Sequence, residues 1–206
     1  MIRVWLIPFS TNVERVSLAL AHKGLEAEPV VVDPDDRREV MRVSGQELVP
    51  VAEIEGEIVV DSPAILRRIE ELQSAPPLWP PDRARATEMD VFVDWFNRVW
   101  KLAPNEIAGA IEGGAPDQFA IDACAAELAG ALGTFEALLD GRAYLFGDEL
   151  SAADCVAFPF LKYAKLRDPE DDELFHRVLE DYQRLDGAHP NLEGWIERVN
   201  AHPRAF

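Results

Sequence analysis

The spacing of apolar positions changes character near residue 80. Before that point short β-rich runs alternate with helical segments. Residues 3–7 (RVWLI) predict a strand that ends at Pro8. Thr11 and Glu14, three apart, predict a capping box, and Val13, Val16, Ala19 and Leu20 follow at helical spacing until Gly24. Residues 30–32 (VVV) predict a second strand closed by Asp33-Pro34, and a polar helix is expected from Asp36 towards Val43. Residues 51–54 and 58–60 are two short runs joined through Glu55-Gly56, a hairpin signal. Ser62-Pro63 then opens a helix that buries Ile65, Leu66, Ile69 and Leu72: a side-chain oxygen for the cap, and a proline whose missing N–H costs nothing in the first turn.

Beyond residue 80 every pattern is helical. Met89, Phe92, Val93, Phe96, Val99 and Trp100 recur at three and four residues, as do Leu128, Leu132, Phe135 and Leu139. Ser151-x-x-Asp154 is a second capping box, expected to open a long apolar helix, and Leu192, Trp195, Ile196 and Val199 form the last stripe. Pro76-Pro77 and Pro80-Pro81 bracket Leu78-Trp79 as a stiff linker. The expected organisation is a domain over residues 1–76, a linker over 77–84 and an all-α domain over 85–206. A helix between the first two strands calls for a parallel crossover, and the hairpin adds antiparallel strands. The order β-α-β-α-β-β-α resembles a thioredoxin-like α/β domain.

Composition narrows the function. Apolar residues make up 48% and charged residues 28%, which suits a globular chain. A net charge of −18 argues against nucleic acid, because phosphate binding needs clustered Lys and Arg, but leaves room for a small anion in a local basic pocket. The N-terminal apolar run is too short for a signal segment and no later run reaches membrane-spanning length, so no membrane partner and a cytoplasmic location are expected. Cys124 and Cys155 lie in apolar helical patterns and read as small buried hydrophobes. With no CxxC and four scattered histidines, no metal framework is expected. The acidic stretch 168–173 reads as a solvated loop.

Several spaced features resemble the glutathione S-transferase family. They are residues 9–16 (FSTNVERV), with a serine five residues before an arginine; Val49-Pro50; Asp61-Ser62, twelve residues after Val49; Ser151-Ala152-Ala153-Asp154; and Leu192-x-x-Trp195-x-x-Arg198. Together they span essentially the whole chain. The resemblance implies a serine-type enzyme of this family: a glutathione S-transferase of detoxification type, homodimeric like its relatives. Glutathione would serve as co-substrate, with no permanently bound cofactor, and a small hydrophobic electrophile would accept it. By the same resemblance Ser10 is catalytic. Val49 offers its backbone to glutathione beside a cis Pro50, and Asp61 and Ser62 take the ammonium and carboxylate of the γ-glutamyl end. Arg37 and Arg38 lie where relatives hold the glycyl carboxylate, although Ser44-Gly45 and Glu47 depart from the family pattern nearby. The electrophile pocket is expected at Phe9, Trp95, Phe96 and Trp100, with Lys101 a further candidate on that helix.

The chemistry expected of Ser10 is physical. A hydroxyl at a helix start, beside unpaired N–H groups and the positive dipole end, can donate to a thiolate and lower the thiol pKa. A shift of about two units needs roughly 2.7 kcal/mol of differential stabilisation. No tyrosine precedes Tyr144 and the first domain has no cysteine, so neither residue can take this role there. Two rival readings remain: a glutathione-dependent isomerase like the maleylacetoacetate isomerase branch, which carries Ser-Ser-Cys where this chain has Ser10-Thr11-Asn12, and a non-catalytic transferase-fold module like the stringent starvation proteins.

Overall fold

The computed structural model of the chain describes residues 1–114 and 117–206. Strand β1 (Ile2–Leu6) is buried along nearly its whole length because it occupies the middle of a sheet. The sheet order is β2-β1-β3-β4, with β2 (Glu28–Val31) parallel to β1, and β3 (Val51–Ile54) antiparallel to both β1 and β4 (Glu57–Val60). Strand β2 covers residues 28–31 rather than the expected 30–32; it sits at the sheet edge, where Val31 stays exposed while Val32, just past the strand, turns inward.

Helices α1 (Thr11–Lys23) and α3 (Ser62–Leu72) cover one face, where Val4, Ala52 and Ile54 meet Val16, Leu20, Ile65, Leu66 and Ile69. The short α2 (Arg38–Ser44) covers the other, closing a small cluster of Trp5, Ile7, Val32, Val40 and Val51. It starts two residues after the expected Asp36, because that carboxylate is engaged with Arg38, and ends at Gly45 in the left-handed conformation.

The second half is helical throughout. Helix α4 (Arg83–Trp95) passes through a π-helical turn (Phe96–Trp100) into α5 (Leu102–Glu112). Then come α6 (Gln118–Leu138), α7 (Ala152–Leu161), a 3-10 turn (Lys162–Ala164), α8 (Leu174–Tyr182) and α9 (Pro190–Asn200). Helix α1 packs on both the sheet and α7, so one hydrophobic core runs through both halves. The segment expected as linker is part of it. Leu78 and Trp79 are buried, the Leu78 carbonyl accepts from the Ala152 N–H while its N–H donates to the Glu70 carboxylate, and α4 already begins at Arg83, capped by Asp82. Helix α7 is shorter than expected, ten residues containing Pro159. Val99, at an apolar spacing, is exposed.

The two capping boxes come out differently. At α7 the box forms: the Asp154 carboxylate accepts from the Ser151 N–H at 2.9 Å and its hydroxyl at 2.6 Å. It also accepts from the Leu145 N–H and from Trp195 Nε1, so this fully buried acid ties α7 to α9 and the preceding loop. At α1 no box forms. Ser10, not Thr11, is the cap residue and makes no side-chain cap bond. Glu14 is drawn instead to Lys162 at 2.6 Å and Arg204 at 2.8 Å from the helical half, two cations outcompeting one neutral N–H.

Candidate functional site

The helix starts that carry the expected chemistry border one groove between the sheet and the helices. At the first, Ser10 lies at the N-terminus of α1 with its backbone C=O already holding the Glu14 N–H at 3.0 Å. Its hydroxyl is uncommitted, and helix geometry leaves the first N–H groups of the turn without intrahelical partners. At the second, Asp61 caps α3 with φ 72°, makes no cap bond, and is exposed. Ser62 is therefore the first residue of α3 rather than its cap. Phe9 and Asp61 both hold positive φ without being glycine, a strained backbone of the kind that clusters at functional sites.

The groove has two adjoining stretches that share part of their lining. The larger, about 430 Å³, is lined by Asn12, Arg15, Gln46, Leu48, Val49, Pro50, Val60, Asp61, Ser62, Asn97 and Lys101. The smaller, about 240 Å³, shares Asn12, Leu48 and Val49 and extends past Ser10, Phe9 and Arg37 to Glu173 and His176. Asp61-Ser62 and Ser10 thus line two adjoining stretches with Val49 shared between them, and the Val49–Pro50 bond is cis. A second cis bond, Ala75–Pro76, had no sequence signal.

Arg15 forms the floor of the larger stretch and is 1% exposed. Its Nε donates to the Val156 carbonyl at 2.9 Å, and its Nη1 donates to Ser62 Oγ at 3.2 Å and to Asn97 Oδ1 at 2.8 Å. The guanidinium also lies 4.6 Å over the Phe160 ring. Burial pushes its pKa down to about 9, with the Asp61 charge opposing, so Arg15 is still a cation at neutral pH. Because Ser62 Oγ accepts from Arg15, its own proton is free to donate to an incoming anion. Nη2 of Arg15 has no partner among the described residues.

Lys101, at the junction of the π-turn and α5, reaches Asn12 Oδ1 at 3.4 Å and sits 4.8 Å above Phe160. Burial lowers its pKa to about 8, reinforced by Arg15 and opposed by Asp61.

Other expected residues lie elsewhere. Phe96 and Trp100 stack at 4.5 Å and pack against Phe135 and Phe160 in the core instead of facing the groove. Trp95 lines a separate surface depression with Arg85, Phe92 and Phe146. An aromatic stripe on a helix buries itself first, and only the polar positions beside it, Asn97 and Lys101, reach the groove. Phe9 lines the groove's smaller stretch from the sheet side. Arg38 is 90% exposed and held by Asp36, away from the groove. Arg37 does line the smaller stretch, anchored on the Pro34 and Glu47 carbonyls.

Sequence reasoning overlooked several groove residues. Arg15 was one position in a motif, with no role of its own; a charged residue between Val13 and Val16 on a buried helix face was the available signal. Asn97 interrupts the Val93–Trp100 stripe in the same way, and bonds the Val93 carbonyl at 2.8 Å. The acidic stretch is also more than a solvated loop: the side chain of the half-buried Asp171 turns inward, accepting from the Tyr163 hydroxyl at 2.7 Å and pairing with His176. No signal linked residues so far apart in pattern. Among the described residues no group of His, Cys, Asp and Glu is arranged to hold a metal ion, and no helix is long and apolar enough to cross a membrane.

A thioredoxin-like sheet domain joined to a helical domain, with a groove at the starts of α1 and α3, defines the glutathione transferase fold. Comparison with known proteins agrees. Residues 6–77 match the family model "Glutathione S-transferase, N-terminal domain", and residues 118–198 match "Glutathione S-transferase, C-terminal domain". The chain belongs to the glutathione S-transferase family. It is 26% identical to the glutathione S-transferase GstB of Escherichia coli (strain K12), over 98% of this chain and 95% of the relative. A glutathione S-transferase structure from Rhodospirillum rubrum superimposes with a TM-score of 0.74 at 28% identity, covering 98% and 89% of the two chains. The FtsZ-localized protein A of Caulobacter vibrioides is 33% identical over 48% of this chain and 47% of its own length.

Proposed function

We propose that this chain is a serine-type glutathione transferase in which Ser10 stabilises the glutathione thiolate for attack on a small electrophile. The observation that carries the reading is the uncommitted Ser10 hydroxyl at an open helix start, in one groove with Val49 and Asp61-Ser62. Glutathione would lie along that groove as an added strand. Its cysteinyl backbone would pair with Val49, and its γ-glutamyl carboxylate would accept from Ser62, which Arg15 orients. Asp61 would take the ammonium. The glycyl carboxylate would face Arg37; Arg38 is too far out to share it.

The thiol proton leaves to solvent as glutathione binds. The Ser10 hydroxyl and the N–H groups of α1 favour the ionised sulfur, whose lone pair then forms the new bond to carbon while the leaving group departs. Homodimerisation and a cytoplasmic location follow from family habit and belong to the same proposal.

The FtsZ-localized relative favours a second reading, an interaction module on the same fold. The two separate by calorimetry with glutathione, followed by turnover of an activated aryl halide. Binding with turnover supports the enzyme. No detectable binding leaves the module.

A further inference from the structure

The wall of the groove opposite the sheet is not the apolar surface expected for a hydrophobic electrophile. The aromatic residues of that helix pack inward, and the groove meets Asn97 and Lys101 instead. Lys101 is exceptional in this chain. Of four lysines, Lys23 is paired with Glu70, Lys162 with Glu14, and Lys165 with Glu193 and Glu197. Lys101 alone has no carboxylate partner among the described residues, in a protein of 38 acidic residues. Its neighbours are a neutral amide and an aromatic face. A cation mostly withdrawn from water, with the exposed Asp61 near it but no carboxylate in contact, is stabilised by an anion that arrives with the ligand.

Beside it, Arg15 adds a second buried cation with an unpartnered Nη2, against the single carboxylate of Asp61 in the larger stretch. That stretch therefore carries two positive charges and one negative while the chain as a whole is at −18. Arg15 is already committed to Ser62, on the side expected for the γ-glutamyl carboxylate. Lys101 lies on the helical wall of the same stretch and reaches across to Asn12, two residues beyond Ser10.

We propose that the electrophile carries a carboxylate, held by Lys101 Nζ with Asn12 beside it, so that this transferase prefers anionic over neutral acceptors. The inference rests on the transferase reading above and names its acceptor class. In the reaction, the glutathione thiolate supplies the electron pair of the new C–S bond. The carbon–halogen bond breaks and the halide leaves with its electrons; the carboxylate is only a handle.

The test compares 4-chloro-3,5-dinitrobenzoate with 4-chloro-3,5-dinitrobenzamide, which share ring, leaving group and reacting carbon. The wild type is expected to favour the benzoate at least tenfold in kcat/KM at pH 7, after correction for the uncatalysed rates. Lys101→Met should bring that ratio close to one, and Lys101→Arg should restore most of it. Wild-type protein supplies an independent arm. Lysine with its pKa near 8 is charged below that pH and neutral above it, so the ratio should fall as pH rises through about 8. The charges around it are Arg15 on α1 and Asp61 at the start of α3, with His176 and Glu173 on the adjoining stretch. Of these, Arg15 remains protonated through pH 8. Conjugation of the benzamide with no preference for the benzoate overturns this inference and leaves the transferase standing. So does an equal effect of Lys101→Met on both acceptors with weakened glutathione binding, which would assign the lysine to glutathione itself. Turnover of neither compound removes both readings.

Discussion

Helices α1 and α7 begin with the same sequence device and put it to opposite uses. Each has a hydroxyl residue followed three positions later by an acid, Thr11-x-x-Glu14 and Ser151-x-x-Asp154. At α7 the device closes. Asp154 takes four hydrogen bonds in the interior, and although burial pushes its carboxyl pKa up, each of those bonds favours the ionised form. At α1 it stays open. Glu14 turns away to Lys162 and Arg204, Ser10 displaces Thr11 as the cap residue, and its hydroxyl is not used by the helix. The start of α3 is open as well: Asp61 occupies the cap position but its side chain makes no cap bond. Polar groups satisfied at a helix start hold the fold, whereas those left unsatisfied beside a groove are available to a ligand.

That contrast is broken or sharpened by substitution. The largest effect is expected at the closed start. Asp154→Ala strands buried donors from Leu145, Ser151 and Trp195, and should destabilise the fold by on the order of 3–5 kcal/mol in urea denaturation. A loss below about 1 kcal/mol would mean that the closed box does not hold the helical half together.

Next come the open starts, where function should suffer and stability should not. Asp61→Ala should weaken glutathione binding by about 1.5–3 kcal/mol, the cost of losing a charged hydrogen-bond partner, as read by calorimetry. Ser10→Ala should cost turnover a comparable amount, roughly 10- to 150-fold at neutral pH. It should raise the pKa of bound glutathione, followed by thiolate absorbance, while the urea midpoint moves by less than about 0.5 kcal/mol equivalent. A stability loss at Ser10 like that of an ordinary cap would contradict the open start.

Smaller effects complete the comparison. Ser151→Ala should lower stability by about 1 kcal/mol and leave the thiolate titration unchanged. Thr11→Val, which keeps shape at a buried position with no cap bond to lose, should change stability by less than Ser151→Ala. If Thr11→Val shifts the bound thiol and Ser10→Ala does not, the reactive hydroxyl is one residue further along.

Much of this was legible in the chain itself. The β-α-β-α-β-β-α order, the hairpin at Glu55-Gly56, the α7 box and the final stripe of Leu192, Trp195, Ile196 and Val199 follow from local spacing and turn chemistry, and appear in the structure. The pairs Val49-Pro50 and Asp61-Ser62 could be picked out only because they match motif positions of the family that the chain resembles. What tertiary structure decided was the destination of groups with more than one possible partner. Glu14 had a neighbouring backbone N–H in sequence, but Lys162 and Arg204 arrive from 148 and 190 residues away and bind its charge more strongly. Phe96 and Trp100 sit on a stripe that suits a core, and the pocket expected of them came from the family resemblance; in the structure Phe135 and Phe160 close over them. Arg15 became the floor of the groove only when Ser62, Asn97 and Val156, from three other segments, met around its guanidinium. Periodicity reports which face of an element is buried; it carries no information about which distant partner a polar group will find there.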